Sequence, residues 1–342
     1  MAIQDSQSFS PRTLRCYVGA LLLVIFFSAA VPISFIHFST IPRFVLQLYN
    51  RTIPSEKPMG ENISSSNSTF DTAAATSDTQ LLVHYFKLYR TQSPTRDDDL
   101  SYLDCLSLRS VLKNLKPDQV MIHTNVIDYW PLDSCSELVT NWTGIHLKYF
   151  PRRFVMQGRR IRWLHHEADM AKLSVLRQYG GLTLDFDVYI INGTEVRRLL
   201  NTAPCIICAE SPYDKEGYKV NAGFFGCLHK EKAQYPALVR KLSFDVDYRP
   251  DRWVYNIGIK AMEILKGNPQ TATLVDNVCN NPPWANISSF MLGRTTGGWS
   301  YRPAFHTYFH DRKFNKANLM NMNSSAGDLF RWIVKDEKNE TL

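Results

Sequence analysis

The chain has 342 residues, with 39 Lys and Arg against 32 Asp and Glu, a net charge of +7 and 44% hydrophobic residues. That length suits one large globular domain or two small ones, and charged and aromatic fractions of 21% and 12% exclude a largely disordered chain. No collagen-like Gly period or repeat is present, and the Lys and Arg residues are scattered, so fibrous, solenoid and nucleic-acid-binding classes fall away.

Residues 1–15 read as a cytosolic tail. From Cys16 to Phe38 run 23 residues without Asp, Glu, Lys or Arg. At about 1.5 Å per residue they span a bilayer core of about 30 Å, which predicts a transmembrane signal-anchor. A cleaved signal peptide is the rival reading, but its apolar core is normally shorter and a small-residue cleavage site should follow it. Eight Asn-x-Ser/Thr sequons, at Asn50, Asn62, Asn67, Asn141, Asn192, Asn286, Asn323 and Asn339, all follow this segment and point to a lumenal body. Six cysteines also follow it, an even number that suits up to three disulfides with 15 possible connectivities. Cys205-x-x-Cys208 lacks a second Cys/His pair at metal spacing, so zinc is not expected.

Residues 39–80, rich in Ser, Thr, Asn and Ala, read as a stem. A folded domain is expected over 81–330, with 331–342 as a C-terminal tail. It opens on a strand, LLVHYFKLY, followed by a polar loop, TQSPTRDDD, and a helix, LSYLDCLSLRSVLKNL. Strands over 119–125 and 144–150 come next, and this alternation predicts an α/β domain with a mostly parallel sheet. Ligands bind such sheets at the carboxyl ends of the strands, where His123, Thr124 and Asn125 fall, although a plain turn fits them equally.

Residues 165–193, HHEADMAKLSVLRQYGGLTLDFDVYIING, carry the most information. Apolar residues from Ala168 to Tyr179 give a helix with one buried side, and Gly180-Gly181 ends it because Gly accepts a left-handed cap. Leu182 to Leu184 form a short strand leading into Asp185-Phe186-Asp187. Residues two apart share a strand face, so both carboxylates are expected to converge with Phe186 turned into packing. Two such carboxylates repel and lose hydration, and a hard divalent cation offsets both costs. The bland alternative is a pair of turn or helix-capping residues.

The whole string resembles the sugar-binding region of glycosyltransferase family 32, whose pattern runs Ser-Asp-x-x-Arg, helix, Gly-Gly-x-Tyr-Leu-Asp-x-Asp. This chain has Ala168-Asp169-x-x-Lys172 and Gly180-Gly181-Leu-Thr183-Leu184-Asp185-Phe-Asp187, departing at Ala168, Lys172 and Thr183. Val220-Asn221-Ala222-Gly223-Phe224-Phe225 resembles the family's Asn-Gly-Ala-Phe segment, and Asn256-Ile257-Gly258 its Gly-Pro helix start. The likeness is close over 160–230 and looser over 81–315.

The resemblance implies a GT-A type nucleotide-binding domain, with a Rossmann-like, mostly parallel sheet, behind a single N-terminal transmembrane helix. It implies a single-pass type II protein of the Golgi membrane, a UDP-sugar donor, Mn²⁺ or Mg²⁺, and retention of configuration with an α-1,4-type linkage. The acceptor would be a glycan or glycolipid. By the same resemblance Asp185 and Asp187 are catalytic and hold the metal. Either His306 or His310 joins them, with His310 preferred. Asp169, Lys172, Gly181, Asp185 and Asn221 would bind the nucleotide sugar. For Asp169 a surface residue or a salt bridge to Lys172 is the plain alternative, and for Asn221 a turn.

Glu210, Asp214 and Glu216 sit in a segment read as a solvated loop, with acceptor orientation as the rival. His165 and His166 read as capping or surface residues, with approach to a substrate as the rival. Trp284, Trp299, Tyr301, Tyr308 and Phe309 read as core rather than sugar platforms. Two other function classes compete: a catalytically silent carbohydrate-binding relative, and a glycoside hydrolase. The hydrolase needs carboxyls about 5–9 Å apart across a sugar, and neighbours on one strand face suit it poorly.

Overall fold

The computed structural model describes residues 80–139, 143–210, 219–279, 287–294 and 299–335. The expected anchor and nearly all of the stem lie outside them. Among the described residues no helix is long and apolar enough to cross a membrane.

The first half of the described chain holds strands β1 (Leu82–Lys87), β2 (Gln119–Thr124) and β3 (Ile145–Tyr149), a short hairpin of β4 (Val155–Met156) and β5 (Arg159–Arg160), then β6 (Gly181–Leu184) and β7 (Val188–Ile190). Helix α1 (Tyr102–Ser110) follows β1, α2 (Leu164–Gln178) precedes β6, and α3 (Gly193–Thr202) follows β7. The second half holds β8 (Ile206–Glu210), β9 (Lys219–Cys227), α4 (Gln234–Val239), α5 (Lys260–Gly267) and β10 (Thr273–Val275). It ends with α6 (Ile287–Leu292), β11 (Ala304–His306), α7 (Lys316–Asn321) and α8 (Ser325–Val334).

Seven strands form one sheet in the order β10-β8-β9-β6-β1-β2-β3. All neighbours are parallel except at β9, which runs antiparallel to both β6 and β8. β7 and β11 pair separately as an antiparallel ribbon. The expectation of a mostly parallel α/β sheet is met, and the near-continuous apolar runs in β1, β2 and β6 reflect burial on both faces. Alternation assigns each face its own core. Ile206, Cys208 and Phe224 join one cluster, whereas Cys205, Ile207 and Phe225 join the other.

Helix α2 buries Met170, Leu173 and Leu176 against the second cluster. Gly180 and Gly181 end it with φ of +76° and +96°. A Cβ on Gly181 would stand 2.3 Å from the Leu82 carbonyl oxygen, so only glycine lets β6 close onto β1 here.

The six cysteines after Cys16 pair as Cys105–Cys135, Cys205–Cys227 and Cys208–Cys279. Both members of Cys205-x-x-Cys208 are consumed in disulfides, in agreement with the absence of a zinc reading. The folded part also runs past the expected boundary at 330. α8 continues to Val334, with Phe330 and Ile333 buried, because the Arg109 guanidinium reaches the Ile333 and Val334 carbonyls from α1.

His123 and Asn125 serve the sheet rather than a ligand. His84 Nε2 lies 3.0 Å from the Gly180 carbonyl, which can only accept, so that nitrogen carries the proton. His84 Nδ1 therefore accepts, and His123 Nε2, at 3.0 Å, donates to it. Asn125 clamps the backbone of Tyr89, accepting from its N–H at 2.6 Å and donating to its carbonyl at 3.2 Å.

Candidate functional site

Strand β6 stops at Leu184, and the three following residues form a tight turn closed by the Val188 N–H on the Asp185 carbonyl at 3.1 Å. The two carboxylates therefore converge through a turn, not by strand alternation as the sequence pattern suggests. Phe186 stacks its ring on Tyr85 with centroids 4.5 Å apart, as packing requires, although it also lines the cavity described next. The turn is pinned from two sides. The Asp185 N–H donates to the Gly223 carbonyl at 2.9 Å, and the Thr307 N–H donates to the Asp187 carbonyl at 3.0 Å.

Both carboxylates open into a cavity of about 460 Å³, whose wall also includes Asp169, Lys172, Asn221 and His310. Six of the seven residues expected from the sequence thus share one cavity. The seventh, Gly181, is outside the wall and acts only through the backbone path described above.

Within the cavity the polar groups are already engaged. Lys172 lies 2.7 Å from Asp185 and 3.4 Å from Asp169. Burial would lower the Lys172 ammonium, but Asp185 and then Asp169 hold it above its ordinary range. Burial pushes Asp169 up to about 6, against the pull of Lys172. On the other carboxylate, both His306 and His310 place Nε2 on the same oxygen of Asp187, at 3.0 and 3.1 Å. Both histidines that the sequence offered therefore contact Asp187. Burial alone would raise Asp187, yet the charge and hydrogen bond of His306, followed by those of His310, hold it well below the usual carboxylate range. The hydrogen bond to Asp187 pushes His310 up to about 9.

Asn221 belongs to an irregular stretch of β9. β8 and β9 pair regularly up to Ile207–Phe225, then resume at Cys208–Asn221. The bulged residues between carry Gly223 into the cavity, where its N–H donates to Asn221 Oδ1 at 2.7 Å. A Cβ at Gly223 would lie 2.9 Å from Asn221 Oδ1, 3.1 Å from His306 Cε1 and 3.2 Å from Asp185 Oδ2. Three elements therefore meet around a space that no larger residue leaves open.

Several assignments change. Glu210 is not a solvated loop residue. It ends β8 inside the cavity, 3.1 Å from Asn221 Nδ2, and burial raises its carboxyl. Asp214 and Glu216 lie outside the described residues, as does Trp284. His165 lines the cavity with its ring against Trp253, and burial lowers it to about 3. His166 is core, bonded to the Tyr248 hydroxyl and the Trp253 carbonyl. Tyr308 faces the cavity and stacks on His306 with centroids 3.8 Å apart. Trp299 and Phe309 are half-buried and Tyr301 is exposed.

Asp104 was missed altogether. It lines the cavity from α1 as a half-buried carboxyl that desolvation raises, but in sequence it reads as the third residue of a capping box with Ser101.

The resemblance implies a divalent cation at Asp185 and Asp187. Among the described residues no group of three or more His, Cys, Asp or Glu is arranged to hold a metal ion. The donor chemistry nevertheless fits. Asp187 has a side chain only 4% exposed, Asp185 one that is 42% exposed, and Mg²⁺ or Mn²⁺ commonly takes one or two carboxylates and completes its shell with water and phosphate oxygens.

No family model matches the chain. Glucan organizing enzyme 1 of Cryptococcus neoformans var. grubii is 28% identical over 109 residues, which is 32% of this chain and 28% of that protein. The match therefore spans less than a third of the relative's length. Among solved structures, the galactosyltransferase LgtC in complex with donor and acceptor sugar analogs is 12% identical with a TM-score of 0.41, covering 75% of this chain and 98% of LgtC. The apo form of the glycosyltransferase GlyE of Streptococcus pneumoniae TIGR4 is 10% identical with a TM-score of 0.43, covering 75% of this chain and 61% of GlyE.

Proposed function

We propose that the chain is a metal-dependent glycosyltransferase that moves a hexose or N-acetylhexosamine from a UDP-sugar to a glycan or glycolipid acceptor. The observation that carries this reading is the Asp185–Asp187 turn, set at the carboxyl end of a sheet strand and opening with Lys172 and Asn221 into one cavity. The short similarity to Glucan organizing enzyme 1 is in keeping with a carbohydrate substrate.

In this reading Asp187, oriented by His306 and His310, and Asp185 would hold Mn²⁺ or Mg²⁺ for the donor diphosphate. When bound, the cation supplies neutralisation of charge on the departing nucleotide. Lys172 orients Asp185 and Asp169 from α2, and Asp169 meets the ribose or sugar. Asn221, fixed between Glu210 and the Gly223 N–H, presents its amide to sugar hydroxyls. Retention of configuration and an α-1,4-type linkage belong to the same proposal. So does a Golgi membrane location in type II orientation, which three disulfides and eight sequons support.

The test is UDP release and sugar transfer by the purified protein with UDP-galactose, UDP-N-acetylglucosamine, UDP-N-acetylgalactosamine and UDP-glucose. Each is run with Mn²⁺ and with EDTA, beside Asp187→Ala. Turnover that needs both the metal and Asp187 is the expected result. Folded protein that turns over no donor with any acceptor would leave a carbohydrate-binding relative as the better reading.

A further inference from the structure

A second cavity, of about 500 Å³, shares no lining residue with the first. Its wall includes Asn192, Gly193 and Thr194, which form one of the eight sequons, together with Trp299, Trp332 and Lys113. We infer that Asn192 carries an N-linked glycan and that its first sugars lie in this tryptophan-lined cavity. The inference rests on the lumenal placement proposed above.

The local structure makes the sequon a rigid, outward-facing seat. The N–H groups of Ile191 and Asn192 both donate to the Pro303 carbonyl at 3.1 Å. Gly193 packs so closely that a Cβ there would stand 2.0 Å from the Asn114 carbonyl oxygen, so the backbone of the sequon is held while Asn192 and Thr194 remain exposed. Asn192 also caps α3: its Oδ1 accepts from the Glu195 N–H at 3.0 Å. That bond uses the side-chain oxygen and orients the amide, whose nitrogen is the atom to which an N-linked glycan attaches.

The cavity beside it has the character a carbohydrate needs. Trp299 and Trp332 are half-buried with centroids 5.3 Å apart, and Lys113 sits over the Trp332 ring at 5.1 Å. Tryptophan carries a large apolar face with a polar edge, which matches a sugar ring with its C–H face and hydroxyl rim. A tethered sugar covers this partly open aromatic pair at little entropic cost, since its anchor lies in the same wall.

The attachment balances with a co-reactant of one class, a polyprenyl diphosphate-linked oligosaccharide. The C1–O bond to the diphosphate breaks, the C1–Nδ2 bond to Asn192 forms, and the amide proton passes to a base on the transferring enzyme.

The experiment expresses the full chain in a secretory eukaryotic host and maps glycopeptides with and without an amidase that hydrolyses the glycosylated Asn side chain to Asp. Asn192 is expected to be modified in the parent chain, unmodified in Thr194→Ala, and modified again in Thr194→Ser. None of these variants alters the Asn192 cap. Seating in the cavity is read by native deglycosylation, which should be up to about tenfold slower at Asn192 than at Asn62 or Asn67, the fold-change of one aromatic contact. Modification at other sequons with Asn192 bare overturns this assignment alone. If no sequon is modified, the lumenal placement falls with it.

Discussion

The buried His84–His123 pair makes the fold acid-sensitive in a way that can be measured. Both rings are almost fully buried, and burial lowers His84 from 6.5 to about 4 and His123 from 6.5 to about 3. The folded chain therefore keeps both rings neutral while the unfolded chain takes up protons below pH 6.5. A depressed folded pKa means that the stability is complete above 6.5 and is lost as pH falls toward the folded value. From pH 6.5 to 5 each ring costs about 2 kcal/mol, at about 1.4 kcal/mol per pH unit. His123→Gln keeps an N–H donor toward His84 Nδ1 but removes one titrating group. Urea unfolding at pH 7.5 and pH 5, with disulfides intact, should show the parent chain losing about 2 kcal/mol more than the variant between the two conditions. An equal loss in both proteins would refute the reasoning, because His123 would then titrate alike in the folded and unfolded chains.

Two further changes test the packing around the site. Gly223→Ala forces a Cβ between Asn221, His306 and Asp185. Transfer activity should fall by about 10²-fold, the cost of a misplacement near 1 Å, with little change in melting temperature. Steady-state kinetics beside a thermal melt separates the two effects. Arg152 holds Glu167 with a two-pronged bond of 2.6 and 2.7 Å in a nearly buried setting. Arg152→Ala strands that carboxylate and should cost about 3 kcal/mol by urea unfolding, whereas a loss below 1 kcal/mol would mark the pair as solvated.

The periodic elements were legible in the sequence because their signals are local. β1, β2, β3, α1 and α2 follow from apolar spacing, and Gly180-Gly181 marks the break from α2 to β6 as positive φ requires. What the sequence hid depends on topology. Glu210 looks like the edge of a polar loop, and it is buried because β9 inserts antiparallel between β6 and β8 and turns the end of β8 inward. The joint hold of His306 and His310 on Asp187 arises because β11 pairs with β7 and so brings residues 119 apart in sequence to 3.0 Å. His84 and His123 meet through the parallel register of β1 and β2, which no window along one strand contains.

The same topology concentrates acid in the cavity. Asp104, Asp169, Asp185, Asp187 and Glu210 all line it, and Lys172 bridges only Asp169 and Asp185. Burial raises Asp104, Asp169 and Glu210, whereas His306 and His310 hold Asp187 low, so the turn that carries Asp187 is where a hard cation gains most. A cation bound there only in the folded state stabilises it by about 2.7 kcal/mol at 100 times its dissociation constant. Thermal melts in rising Mn²⁺ should therefore shift upward for the parent chain without any donor present. Asp187→Asn keeps a side chain of the same shape between His306 and His310 but removes the charge, so its melt should stay flat. If both proteins shift alike, the ion binds elsewhere, and Asp185 and Asp187 answer only to Lys172 and the two imidazoles.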